Sequence, residues 1–227
     1  MMATMAAPII AFDLDGTLVD TARDLIETLN VVLAVKGLPR VDEATLRMMI
    51  GGGTRRLIER ALFNRGITLP QAEIDQLHAE YLRYYEAHIV DHSRPFSGLE
   101  AALDILSTRG WRFAVCTNKL ERLSVLLLER FGLKHRFMAI CGQDTFDTQK
   151  PDPNMLRRTI ARAGGHIHRA VMVGDSATDI DMARAATVPI IAVDFGYSET
   201  PVSQLGPDRI ISRYDDLPAA IFDLIAL

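Results

Sequence analysis

Pro8 to Phe12 form a short apolar run that stops abruptly at Asp13, Leu14, Asp15 and Gly16. The pattern predicts a buried strand whose carboxyl end opens onto a loop. Over residues 21–92 the period becomes helical, and no strand pattern interrupts it. A helix is predicted over residues 21–35, with Thr21 and Asp24 spaced for a capping box. A second starts near Asp42 and meets Gly51, Gly52 and Gly53, which should break or hinge it. A third covers residues 54–63, and Pro70 suits the first turn of a fourth that reaches about His88.

The texture then alternates. Ser97 and Glu100 are placed to cap a helix that runs to Thr108 and stops at Gly110. Strand patterns at residues 112–117, 137–141, 170–173, 189–193 and 209–211 interleave with helical patterns at 119–131, 152–163, 178–186 and 217–225. Alternation of this kind predicts an α/β fold, a doubly wound parallel sheet with a Rossmann-like core. One strand precedes the helical block and the others follow it. Residues 21–92 therefore read as an all-helical domain inserted into a core made of residues 1–20 and 93–227.

Composition narrows the function. The 227 residues are 48% hydrophobic and 24% charged, with a net charge of −4, which is the profile of a soluble globular protein. No basic stripe is present, so nucleic acid is not an expected partner. An anionic substrate must be held by a few local cations, a metal or backbone amides. The apolar start of the chain lacks a basic leader and breaks at Asp13, so neither a signal peptide nor a membrane span is expected. The run from Leu123 to Leu128 is flanked by Glu121, Arg122, Glu129 and Arg130 and reads as a buried helix face. Cys116 and Cys141 sit in strand patterns as small buried hydrophobes, which fits a reducing cytoplasm. The six histidines lack metal-ligand spacing, and Tyr81, Tyr84 and Tyr85 have the spacing of helix packing or of a dimer face. A monomer or a homodimer is equally compatible with these features.

Ligands of open α/β sheets bind at the carboxyl ends of the strands. Asp13 and Asp15, two apart in extended chain, face one crevice there while Leu14 packs away. Two carboxylates this close repel unless a cation or a proton lies between them. A divalent metal with a division of roles, one acid ionised and one carrying a proton, resolves the conflict. Thr117 and Asn118 end another strand, where a hydroxyl and the amides of the next helix form a phosphate seat. Alone, Thr117 also reads as a helix cap. Lys150 precedes the stiff Pro151-Asp152-Pro153 and is placed to neutralise a phosphoryl oxygen, although a solvated loop lysine has the same surroundings. Asp175 and Asp179, one helical turn apart, supply the hard oxygen ligands that magnesium prefers, or else a cap and a surface acid. The order of acid pair, hydroxyl, lysine and acid pair along successive strand ends gives the set its strength.

Taken together, Asp13-Leu14-Asp15-Gly16-Thr17, Thr117, Lys150 and Gly174-Asp175 with Asp179 resemble the four motifs of the haloacid dehalogenase-like superfamily. The resemblance spans nearly the whole chain, and the helical insertion resembles that superfamily's cap domain. Residues 50–58, Cys116-Thr117-Asn118-Lys119 and Phe195-Gly196-Tyr197 resemble its phosphoglycolate phosphatase branch. The resemblance implies a magnesium-dependent phosphatase acting on a small phosphorylated metabolite. It implies that Asp13 attacks phosphorus and forms an aspartyl phosphate, and that Asp15 protonates the leaving oxygen and then activates water. It also implies that Asp13, the Asp15 carbonyl and Asp175 bind magnesium with support from Asp179, while Thr117 and Lys150 hold the phosphoryl group. Rate enhancements for such esters approach about 10²¹, roughly 29 kcal/mol at about 1.4 per decade. A cap would set specificity, with Arg55 or Arg56 after the glycine run pairing with a substrate carboxylate, or else forming a hinge with solvated arginines. The alternatives are a sugar phosphomutase, a dehalogenase, which has no need of Asp15, and a receiver-like or silent phosphate-binding module.

Overall fold

The computed structural model describes residues 7–225 apart from 43, 44, 46 and 48. Six parallel strands form the sheet: β1 (Ala7–Phe12), β4 (Arg112–Cys116), β5 (Phe137–Cys141), β6 (Gly165–Gly174), β7 (Ile190–Val193) and β8 (Arg209–Ile211). Their spatial order is β5-β4-β1-β6-β7-β8. The chain leaves β1 for the β4 side and later returns to its β6 side. The carboxyl end of β1 is therefore the topological switch point, where such sheets bind ligands.

The apolar runs are continuous because helices cover both faces. Ile10, Phe12, Phe113, Val115, Val171, Val173, Ile191 and Val193 face one layer. It is built by α4 (Leu99–Thr108), α5 (Glu121–Arg130) and α8 (Leu217–Leu224). Ile9, Ala11, Ala114, Cys116, Ala170, Met172, Ile190 and Ala192 face α6 (Pro153–Arg162) and α7 (Ala177–Ala186). Small residues on this second face allow close approach. A Cβ on Gly165 would lie 2.1 Å from Ile9 Cγ1. Cys116 and Cys141 are buried and unpaired here.

Between β1 and the rest of the sheet come α1 (Ala22–Val35), α2 (Thr54–Phe63) and α3 (Gln71–Ala87). Their apolar stripes, including Leu29, Leu33, Leu57, Ile58, Leu77 and Tyr81, join the first core layer. The outgoing and returning chains meet in a two-stranded antiparallel ribbon absent from the sequence reading, β2 (Val19–Asp20) with β3 (Arg94–Pro95). Beside it, the buried Asp24 carboxylate accepts bonds from His92 N at 2.9 Å, Ser93 N at 2.8 Å and Ser93 Oγ at 2.6 Å.

Those contacts correct the capping box expected at Thr21 and Asp24. Asp24 serves the returning chain, and Thr21 has no side-chain cap role. The start of α1 is capped from afar, because Tyr197 Oη accepts from Thr21 N at 2.7 Å and Ala22 N at 3.0 Å. Ser97 and Glu100 form no cap either. The helix begins at Leu99 behind Gly98, whose left-handed backbone (φ 81°) turns the chain without a side-chain acceptor. A true capping box occurs at Ser176 and Asp179 instead. The helix expected near Asp42 falls largely on residues outside those described. Among the described residues, no helix is long and apolar enough to cross a membrane.

Candidate active site

Asp13, the first residue past β1, is buried, and its amide donates to Val173 O at 2.9 Å, which fixes the strand end against β6. Lys150 is 1% exposed and stands 2.8 Å from Asp13 Oδ1 and 2.7 Å from Asp179 Oδ1. The contact with Asp13 is an ion pair outside hydrogen-bond angles, so the buried Oδ1 has no hydrogen-bond partner. Asp175 closes the group. Thr17 Oγ1 donates to its Oδ1 at 3.1 Å and Tyr197 N to its Oδ2 at 2.7 Å. Gly16 and Gly196 permit this approach, since a Cβ on either would stand 2.4 Å from Asp175 Oδ2.

Three buried carboxylates thus cluster here, and two of them, Asp13 and Asp179, pair with one ammonium. Burial pushes the Asp13 carboxyl up, Lys150 opposes the shift, and Asp179 reinforces it, leaving the group at about 6. Burial, then the charges of Asp13 and Asp179, push Asp175 well above the carboxylate range. For Lys150, burial works against the charge, but Asp13 and Asp179 overcome it and raise the pKa. Carboxylate oxygens of Asp13, Asp175 and Asp179 lie within 4.8 Å of one another. Excess negative charge, hard oxygen donors and an unsatisfied Asp13 oxygen are the chemistry that a small divalent cation relieves, so the site could hold one. Asp179 is the most committed of the three. Its Oδ1 takes Lys150, and its Oδ2 takes Ser176 N at 3.1 Å and Ser176 Oγ at 2.6 Å.

Thr117 follows β4, and its Oγ1 accepts from Lys119 N at 3.2 Å, which leaves the hydroxyl proton free to be donated. Asn118 lines the same small cavity, but its amide is spent on backbone. Its oxygen accepts from Lys150 N at 3.0 Å, and its nitrogen faces Gly51 O at 3.3 Å and Lys150 O at 3.4 Å. The cavity walls are completed by Leu25, Ile50, Gly51, Gly53, Thr54 and Leu57 of the inserted segment.

Arg55 and Arg56 do not line this cavity. Arg55 pairs with Asp75 at 2.5 Å and Glu59 at 3.3 Å on the outer face of α2. Arg56 is exposed, over a groove it shares with Arg60 and Ser176. The reason is helical phase. Thr54, Leu57, Ile58 and Ala61 form the buried stripe, so the positions between them point outward.

The sequence reading passed over Lys119 as a site residue. It lines the cavity, and its ammonium is 2.9 Å from Asp15 Oδ1 and 2.8 Å from Tyr85 Oη. Its place directly after Thr117 and Asn118 was the available signal. Tyr81 and Tyr85 are buried, so no dimer face is made by that pair.

A phosphoglycolate phosphatase of Mesorhizobium japonicum is 49% identical over 213 residues, covering 94% of each chain. One of Agrobacterium fabrum is 45% identical, covering 98% of this chain and 96% of its own. A crystal structure described as a predicted phosphoglycolate phosphatase from Haemophilus somnus superposes with a TM-score of 0.85 at 27% identity, covering 97% of this chain and 99% of that one. Residues 10–193 match the family described as haloacid dehalogenase-like hydrolase, and the chain belongs to that family.

Proposed function

We propose that the protein is a magnesium-dependent phosphomonoesterase whose preferred substrate is 2-phosphoglycolate. The observation that carries the proposal is the convergence of Asp13, Lys150 and Asp175 on one buried point at the carboxyl edge of the sheet, with Asp15 beside it on a separate cation. The names of the relatives at 49% and 45% identity support the substrate.

The residues take these parts. A carboxylate oxygen of Asp13 bonds to phosphorus while the ester oxygen departs with a proton from Asp15. Water then attacks the same phosphorus, gives its proton to Asp15, and restores the Asp13 carboxylate as inorganic phosphate leaves. Thr117 and Lys150 donate to the transferring oxygens. Asp13, Asp175 and the Asp15 carbonyl would hold magnesium, and Asp179 fixes Lys150 behind it. The ion neutralises charge on the phosphoryl group when bound. Residues 21–92 act as a cap over the site. The first turn of α2, which has no side-chain cap, brings Gly53 and Thr54 to the cavity as donors for a carboxylate, in place of Arg55 and Arg56.

A panel of phosphomonoesters assayed with magnesium tests the assignment. The kcat/KM for 2-phosphoglycolate should exceed that for hexose phosphates at least about tenfold. Faster turnover of several sugar phosphates would remove phosphoglycolate as the substrate.

Metal linkage gives a second check. Asp13 sits at about 6 against an ordinary 3.8, so its contribution to metal-free stability is complete below 3.8 and lost as pH rises through about 6. Magnesium offsets that loss but competes with protons below it. The rise in Tm on adding magnesium should therefore grow between about pH 5 and about pH 8. An equal rise at both values would argue against Asp13 as a ligand.

A further inference from the structure

Asp15 is held by two groups from separate parts of the chain. Lys119 Nζ donates to Oδ1 at 2.9 Å and to Oδ2 at 3.2 Å, and Thr21 Oγ1 donates to Oδ1 at 2.7 Å. Oδ1 thus accepts the two shorter bonds and Oδ2 only the longer one, which leaves Oδ2 the more available oxygen for a proton. The Lys119 side chain is only 1% exposed. Its remaining donor goes to Tyr85 Oη at 2.8 Å, and the ammonium lies 4.4 Å from the centre of the Tyr85 ring. An ammonium has three N–H donors, so all are accounted for and none is left for a substrate carboxylate. Burial raises the pKa of the Tyr85 phenol, and its hydroxyl oxygen accepts the lysine bond. Tyr85 lies on α3 and stacks on Tyr81 with ring centres 6.0 Å apart, while Tyr81 Oη is anchored to Leu25 O at 3.0 Å.

From this geometry we infer that Lys119, braced by Tyr85, is the positioning residue that orients Asp15 for proton transfer. The inference rests on the phosphatase reading. It means that the inserted helices reach the chemistry through a core lysine as well as by walling the cavity. A carboxyl group held by one hydroxyl and by an ammonium that a buried tyrosine braces presents the same oxygen to the leaving group and later to water. Without Lys119, Asp15 keeps only Thr21 and samples other rotamers.

Acid catalysis matters for a basic alkoxide leaving group and little for nitrophenolate, so two esters separate the roles. The test compares kcat/KM for 2-phosphoglycolate and 4-nitrophenyl phosphate in wild type, Lys119→Met, Asp15→Asn and the double variant. Lys119→Met should lose about 10–100-fold on phosphoglycolate and less than about 3-fold on the aryl ester, the same direction of bias as Asp15→Asn. In the Asp15→Asn background it should add less than about 2-fold, because it acts through the group already removed. Tyr85→Phe keeps the ring and removes the hydroxyl. It should show the same bias at about 3–10-fold, and it decides the matter if Lys119→Met does not fold. Equal losses on both esters, or losses that multiply in the double variant, would overturn the inference. If wild type releases no phosphate, or Asp15→Asn shows no bias, the phosphatase reading itself fails.

Discussion

Asp13→Asn should reduce phosphate release by at least about 10⁴-fold while leaving the fold intact. Asparagine has the volume of aspartate but cannot attack phosphorus. It also removes one of three clustered carboxylates beside Lys150, so it relieves repulsion in the metal-free protein. Its Tm in chelator should match or exceed that of wild type. Steady-state phosphate release and a thermal melt separate the two effects. A variant that retains a tenth of the activity, by order of magnitude, would mean that another group attacks.

Lys150→Met should have the opposite signature, a large loss of stability together with a loss of rate. Lys150 is the ammonium between Asp13 and Asp179. Methionine fills its length but leaves the acids without their cation. Removing one partner from a buried ion pair costs about 3–5 kcal/mol. For a chain of this size that lowers Tm in chelator on the order of 10 °C. Magnesium should restore part of the Tm. It should not restore the rate, because in the proposed mechanism Lys150 also donates to the transferring phosphoryl oxygens. Loss of such a donor costs about 10²–10³ in kcat. An unchanged Tm in chelator would show that the pair is not what holds these carboxylates in place.

The parts of the site that were legible in the sequence share one feature: each is tied to a strand end. Asp13, Thr117 and Asp175 directly follow or nearly follow β1, β4 and β6, and a parallel sheet brings strand ends together whatever the loops do. Lys150 was legible for a related reason, since the prolines after it hold a loop at the same edge. Side chains whose direction depends on helix phase or on distant partners were not. Arg55 and Arg56 looked well placed after three glycines, yet a helix turns about 100° per residue, and the buried stripe begins at Thr54. Thr21 and Asp24 fit a local capping pattern, but a bond to Asp15 claimed the Thr21 side chain and long-range bonds from His92 and Ser93 claimed that of Asp24. Tyr197 caps α1 from 176 positions away, a contact no local pattern encodes. Lys119 sat in plain view after Asn118, but its role depends on Tyr85, which helix packing places against it.

In the proposed mechanism Asp13 itself carries the phosphoryl group. Acid quenching during turnover of 2-phosphoglycolate with magnesium, followed by mass spectrometry of the peptide containing Asp13, tests it most directly. A phosphoryl adduct on Asp13 that forms and decays with turnover, and builds up in Asp15→Asn, is the expected result. Full activity with no adduct on that peptide at any quench time, or an adduct on a different residue, would contradict it.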